Sequence, residues 1–308
     1  MKDLFVYDLI SIGNISIDIY FKGESLTFKD GRFNLAVGGK YFADSVTQTI
    51  GGGGANVAIG AAKHSLKTAV LGKIGNNPFK KIILDKLEEN KVSTRFCQIE
   101  DEYLNISSIL LTDKGERSII HYTTPHQHIF DDEKKLYQLS EARMVYLANM
   151  PNVSLNERID ILHYLKKLNI LTIVNLGVKD CRRSYDQLER FLKYVDILIV
   201  NGHEFADMVK APYADIHFKD NVVDWYIPHM NEKIVVITEG AKGSYGYNQG
   251  KIYYQEAIKV DKIADTTGAG DGYSAGFVSE YFKSRNLEKA MEKAAKYASK
   301  ILAKIGAN

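Results

Sequence analysis

From residue 68 onward the chain alternates short β-branched runs with amphipathic stretches, and that rhythm restricts it to a few folds. Residues 68–74, 143–148, 170–175, 195–201 and 233–238 read as strands. Residues 78–89, 155–168, 183–194, 203–209 and 219–229 read as helices, and two more, 270–284 and 287–304, follow the short strands 244–247 and 252–255. Strands separated by helices of this length imply βαβ units with right-handed crossovers. They give a mainly parallel sheet covered on both faces.

Two regions break the rhythm. After a buried-strand pattern at 5–13 ending in Gly13, residues 15–21 alternate as a second strand, and 22–50 are polar and irregular apart from a β-prone piece at 45–50. Residues 104–112 and 116–123 read as a hairpin around Asp113-Lys114-Gly115. We expect these β-rich pieces, about 14–50 and 104–124, to leave the main body and form one small sheet, a natural lid over a neighbouring site. No repeat, low-complexity segment or Pro/Ser-rich linker divides the chain, so 1–308 reads as a single domain.

The 308 residues carry 45% hydrophobic and 25% charged side chains, enough to bury a full core. Forty basic and 38 acidic residues give a net charge of +2, which argues against a nucleic-acid surface. The two cysteines, Cys97 and Cys181, are far apart, which fits a reducing compartment and speaks against a disulfide scaffold or a zinc site. No apolar run is long enough to span a bilayer, and the first 20 residues lack a basic start, so a cytoplasmic location is expected. His121, His126 and His128 show no ligand spacing and read as hydrogen-bonding residues of the small sheet.

Chemistry concentrates in 264–277, Ala-Asp-Thr-Thr-Gly-Ala-Gly-Asp-Gly-Tyr-Ser-Ala-Gly-Phe. Small residues run into Gly268-Ala269-Gly270, one acid follows at Asp271, and an apolar helical pattern comes next. A glycine turn opening a helix leaves backbone N–H groups converging on one point, reinforced by the helix dipole, which makes an anion site. A carboxylate beside that site can take a proton from a hydroxyl attacking the anion. A second glycine run, Gly51-Gly52-Gly53-Gly54, lets backbone approach a ligand, and Asn56 behind it can donate and accept toward a hydroxyl. Asp18, just past the first strand, can accept from two vicinal hydroxyls.

Residues 264–277 resemble the C-terminal signature of the ribokinase (PfkB) carbohydrate kinases, D-T-x-G-A-G-D-x-F-x-A-G-F, with Tyr273 in place of Phe. Gly51–Ala58 resembles that family's N-terminal signature, G-G-x-G-A-N-x-A, though Gly53 stands where ribokinases often carry Lys. The resemblance runs from Gly13 to the last helices and implies a ribokinase-like three-layer α/β/α body with a small β-sheet lid. It also implies ATP-dependent phosphoryl transfer to a hydroxyl of a small sugar. Asp271 would act as base, and the amides of Gly268, Ala269 and Gly270 as the anion hole. Asp18, Gly52, Gly53 and Asn56 would hold the acceptor.

Asn201-Gly202-His203-Glu204 resembles the family's N-x-x-E motif, which implies Mg2+ near Asn201 and Glu204, with Asn201 also facing ATP; an Asn before Glu can equally cap a helix. Thr238, Gly240 and Gly243 match T-x-G-x-x-G, which contacts ATP in the family. Asp265 and Thr267 stand where relatives help bind K+, with a local turn as the other reading of Asp265. Pairing of two subunits through the lid is a further expectation. A nucleoside acceptor, with Tyr20, Tyr41 or Tyr122 stacking on the base, is the closest alternative. A catalytically silent sugar or nucleoside sensor is the rival from outside enzymes. No P-loop, dinucleotide or H-E-x-x-H motif competes.

Overall fold

The structure is a computed structural model that describes residues 5–112, 115–126, 128–130 and 133–308, with backbone alone at 133–135. Its largest element is a nine-stranded sheet. From one edge the strands run Lys251–Gln255, Ser244–Asn248, Ile234–Thr238, Ile197–Asn201, Leu171–Asn175, Met144–Leu147, Leu9–Ile12, Thr68–Leu71 and Val92–Ser93. All neighbours pair in parallel except the two at the first edge.

Successive residues of each strand enter different cores. Leu9, Tyr146, Ile173, Ile199 and Val236 meet the helices Gly53–Lys63, Ala269–Ser284 and Leu287–Leu302 on one face. Ile10, Leu147, Val174, Leu198 and Val235 meet Leu155–Lys167, Tyr185–Leu192 and Gly202–Val209 on the other. That alternation is what makes both faces of the sheet apolar and produces the three layers.

The pieces that interrupt the rhythm do form one small sheet. Arg117–Thr123, Asn105–Leu111, Ser16–Lys22 and Ser45–Gly51 lie side by side in that order. The hairpin's turn residues Asp113 and Lys114 lie outside the described residues. Thr49, Asp18, Ser107 and His121 share one row across the inner face, and Tyr20, Ile109 and Ile119 share the next.

Several boundaries differ from the expectations, each for a local reason. The strand expected at 68–74 breaks at Gly72, where a side chain would collide with the Gly13 carbonyl, and Lys73–Gly75 pairs instead with Gln98–Glu100. The helix expected at 183–194 runs Tyr185–Leu192, opened by Ser184 with a capping box to Gln187, and an unexpected short helix, Val178–Cys181, precedes it. The helix expected at 219–229 stops at Tyr226, because Pro228 supplies no N–H and starts a short 3-10 turn.

Candidate active site

Leu9–Ile12 pairs with Thr68–Leu71 on one side and with Met144–Leu147 on the other, so the strand order reverses there. Crevices outside the carboxyl ends of strands at such a point are where ligands bind in open α/β sheets. Gly13 leaves the strand into this crevice, and a side chain on it would meet Ala148 Cβ at 2.6 Å and Gly54 N at 2.9 Å. The helix Gly53–Lys63 therefore starts in direct contact with the strand end. Its first amides are taken by the Asn14 carbonyl, from Gly54 N at 3.1 Å and Ala55 N at 3.4 Å.

The glycine run is needed for fit. A Cβ on Gly51 would overlap the Asp18 carboxylate, and Gly52 has φ 89° with its missing Cβ aimed at the Asn14 carbonyl. Asp18 is thus pressed against the loop before the helix. It is buried; Ser16 Oγ donates to its Oδ1 at 3.1 Å, and Ser107 stands opposite it on the next strand. Ser107 Oγ in turn bonds His121 Nδ1 at 3.1 Å. Burial pushes the Asp18 carboxyl above the usual carboxylate range, while the two serines pull it down.

Ala269–Ser284 is a 16-residue helix entered through Gly268, whose left-handed φ of 75° suits glycine. Ala269 N–H reaches Thr266 O only at 3.4 Å, and among the described residues the N–H groups of Gly268, Gly270 and Asp271 make no hydrogen bond. Gly270 faces open space, with no atom within 4 Å of where its Cβ would be. Asp271 follows, half-buried, and Asn56 Nδ2 donates to its Oδ2 at 2.7 Å. Its Oδ1 lies 3.4 Å from where a Gly53 Cβ would stand. Burial pushes the Asp271 carboxyl up; the Asn56 bond opposes this, and the Asp18 charge adds to it. Two carboxylates, an amide and a helix N-terminus therefore meet in one recess. Such a set can bind an anion beside a hydroxyl and remove that hydroxyl's proton.

The other motif residues stand on neighbouring strand ends. Asn201 and Thr238 are register partners at the ends of their parallel strands. The Asn201 side chain accepts from Glu204 N at 2.8 Å, and the Glu204 carboxylate accepts from Asn201 N at 2.9 Å. This is a capping box, so one oxygen of each side chain is committed to starting the helix Gly202–Val209. Burial pushes the Glu204 carboxyl up, and the buried Tyr146 hydroxyl feels the charges of both Asp271 and Glu204. Gly240 and Gly243 take φ of 54° and 96° in the turn after Thr238. Beside that turn lies a cavity of about 590 Å³ walled by Tyr213, Phe218, Glu239, Lys242 and Tyr245.

Sequence reasoning did not single out Ser107, Arg117 or the segment Gly306–Asn308. Arg117 Nε stands 3.8 Å from Asp265 Oδ1. Asn308 Nδ2 donates to Asn56 Oδ1 at 2.8 Å and to the Ile50 carbonyl at 3.0 Å, while Ala307 packs on Gly268. The alternation of 105–111 and 117–123 was the signal for Ser107 and Arg117; nothing local marks 306–308. The aromatic residues considered for base stacking are placed otherwise. Tyr122 lies on the outer face of the small sheet, Tyr20 is buried within it, and the Tyr41 hydroxyl accepts from Ala36 N at 2.7 Å.

A three-layer body with a small sheet and a glycine-turn acid at the strand ends defines a class of α/β phosphotransferase folds. Residues 7–308 match the pfkB family carbohydrate kinase, and the chain belongs to that family of phosphotransferases. Its relatives include a nucleoside kinase of Methanocaldococcus jannaschii, 26% identical over 90% of this chain and 84% of that protein. An ATP-dependent 6-phosphofructokinase of Thermoanaerobacterium thermosaccharolyticum is 24% identical over 98% of this chain and 89% of its own length. The structure of Arabidopsis thaliana ribokinase complexed with ribose and ATP superposes with a TM-score of 0.78 at 23% identity, covering 97% of this chain and 94% of that one.

Proposed function

We propose that the protein transfers the γ-phosphoryl group of ATP to a hydroxyl of a small sugar or sugar derivative. The observation that carries this reading is the Asp271 carboxylate, held by Asn56 next to the free amides at the start of a long helix. Asp271 takes the proton of the attacking hydroxyl, and the Gly268–Gly270 amides receive charge developing on the phosphoryl oxygens. Asp18, supported by Ser16 and Ser107, accepts from the acceptor's hydroxyls, with Gly52 and Gly53 forming the floor. Asn56 acts chiefly on Asp271, because both ends of its amide are already bonded.

Thr238, Gly240, Gly243 and Asn201 would contact ATP, which is what the similar plant ribokinase was crystallised with. The oxygen donors Glu204 and Asn201 suit Mg2+, which keeps most of its waters and binds through few protein ligands. When bound, the ion neutralises phosphate charge. Each of the two side chains would meet it with the oxygen lone pairs that the capping box leaves free.

The row Thr49, Asp18, Ser107, His121 presents hydroxyl, carboxylate and imidazole groups and no aromatic carbocycle, which favours a polyhydroxylated acceptor over a base. A nucleoside acceptor is the second reading, supported by the nucleoside kinase relative. The outer face of the small sheet, with Val46, Ile120 and Tyr122 exposed, supports a homodimer paired through that sheet.

ATP consumption measured over a panel of sugars and nucleosides tests the reading. A sugar should give turnover, and Asp271→Ala should lower it by roughly 10²–10⁴ while acceptor binding persists. Binding of sugars without turnover at any ATP concentration would mark a sensor and end the proposal.

A further inference from the structure

Asp265 lies just before the Gly268 turn, and its side chain is wholly buried, at 0% exposure. Its Oδ1 accepts the Thr267 N–H at 2.8 Å and its Oδ2 accepts the Gly306 N–H at 3.2 Å. One carboxylate thereby fixes both segments that surround Gly268, since Ala307 rests against that glycine. A buried anion needs a positive partner. Among the described residues the only cation within ion-pair distance is Arg117, with Nε 3.8 Å from Oδ1.

Arg117 comes from the hairpin of the small sheet, in the same inner-face row as Leu111 and Lys22. In the hairpin's turn, a Cβ on Gly115 would stand 3.0 and 3.2 Å from the carbonyls of Ile263 and Ala264, so the hairpin is docked on the approach to the Gly268 turn. Two further oxygens, Thr267 Oγ1 and Tyr20 OH, are buried without a hydrogen-bond partner, as is Arg117 Nε. Burial and then the Asp265 charge hold the Tyr20 hydroxyl well above its usual range, which puts that oxygen in the same cluster. A carboxylate with two neutral hydroxyls is hard-oxygen chemistry that suits a monovalent cation. The guanidinium already brings the positive charge there, and it would repel a second one.

We propose that Arg117 is a positioning residue that replaces a monovalent cation in this chain. It neutralises Asp265 and so keeps the Thr267–Gly268 turn shaped for a phosphoryl group, which makes turnover independent of K+. The inference rests on the kinase reading above. It also ties the anion site to the small sheet, because the charge is present only while the hairpin is docked. Once Arg117 is removed, the Asp265 carboxylate and the unpartnered Thr267 and Tyr20 hydroxyls lose that positive charge, and K+ can take its place.

The test compares wild type, Arg117→Gln and Arg117→Lys in K+, Na+ and tetramethylammonium chlorides at equal ionic strength. Turnover and thermal midpoint are both read. Wild-type turnover should be unchanged across the salts. Arg117→Gln should lose about tenfold or more in tetramethylammonium and regain most of it in K+. Its midpoint should rise with K+ concentration by mass action, and that of wild type should not. Arg117→Lys should stay indifferent to the salt. A wild type that needs K+, or an Arg117→Gln protein whose turnover and midpoint both ignore K+, overturns the inference with the kinase reading intact. Absence of turnover in every protein and salt would instead count against the kinase reading, and the midpoints would then decide the role of Arg117.

Discussion

Both ends of the Asn56 amide are engaged inside the protein, its Nδ2 with Asp271 and its Oδ1 with Asn308. The donated bond favours the ionised carboxylate, while burial and the Asp18 charge oppose ionisation. As the base of the proposed mechanism, Asp271 must be deprotonated to work, so the acid limb of kcat/KM is expected to follow its pKa. Asn56→Ala should move that limb up by about one pH unit, since a hydrogen bond to a charged group is worth ~1.5 kcal/mol and one unit is 1.36 kcal/mol. Asn308→Ala should move it the same way by less, because the Asn56 amide then loses the partner that fixes its orientation. Asp18→Asn should move it down. A pH profile of kcat/KM for the three variants checks all three signs; a downward shift in Asn56→Ala would refute the assignment. At this scale the sequence was readable where chemistry is contiguous. Asp271 and the glycines before it form one run, as do Gly51–Asn56. Ser107 and Arg117 reach the site through strand pairing, with only the alternation of their strands as a signal, and Asn308 reaches it through a contact 252 positions away that nothing local announces.

Among the elements, the short helix Val178–Cys181 is held by one buried ion pair. Arg158, on Leu155–Lys167, donates from Nη1 and Nη2 to the two oxygens of Asp180 at 2.7 and 2.8 Å, and Arg183 Nε adds a bond at 2.8 Å. Burial alone would raise the Asp180 carboxyl; the two guanidiniums outweigh it and hold it below the usual range. Asp180→Asn leaves Arg158 buried and unpaired, and should cost about 3–5 kcal/mol in urea unfolding near neutral pH. The wild-type advantage is whole above the unfolded carboxyl value, about 3.9, and is lost as pH falls through the lower folded one. A loss under about 1 kcal/mol at neutral pH would show the pair to be dispensable. The periodicity of 155–168 was legible, yet Arg158 on its buried side was not foreseen as a core residue. Its partner arises from a four-residue helix too short to leave a pattern.

For the whole molecule, the strand–helix rhythm was enough to call for a mainly parallel sheet, and the missing helix pattern at 14–50 and 104–124 for a second, separate one. Which face of that second sheet turns to the site could not be read, since one residue of slip exchanges the faces. The pairing puts Asp18 and Ser107 inward and leaves Val46, Ile120 and Tyr122 at 55%, 66% and 53% exposure outward. An open apolar sheet face of this kind favours covering by a second copy. Sedimentation should therefore show a dimer that Ile120→Lys turns into monomer, and a monomeric wild type at high concentration would contradict this. The cleft has one more consequence. Asn14 and Asp18 come from the start of the chain, Asn56 from its first fifth, and Asp271 and Asn308 from its far end, yet they bond or face one another directly. The cleft therefore closes only when segments more than 200 positions apart meet, so its order reports on the long-range packing of the whole fold.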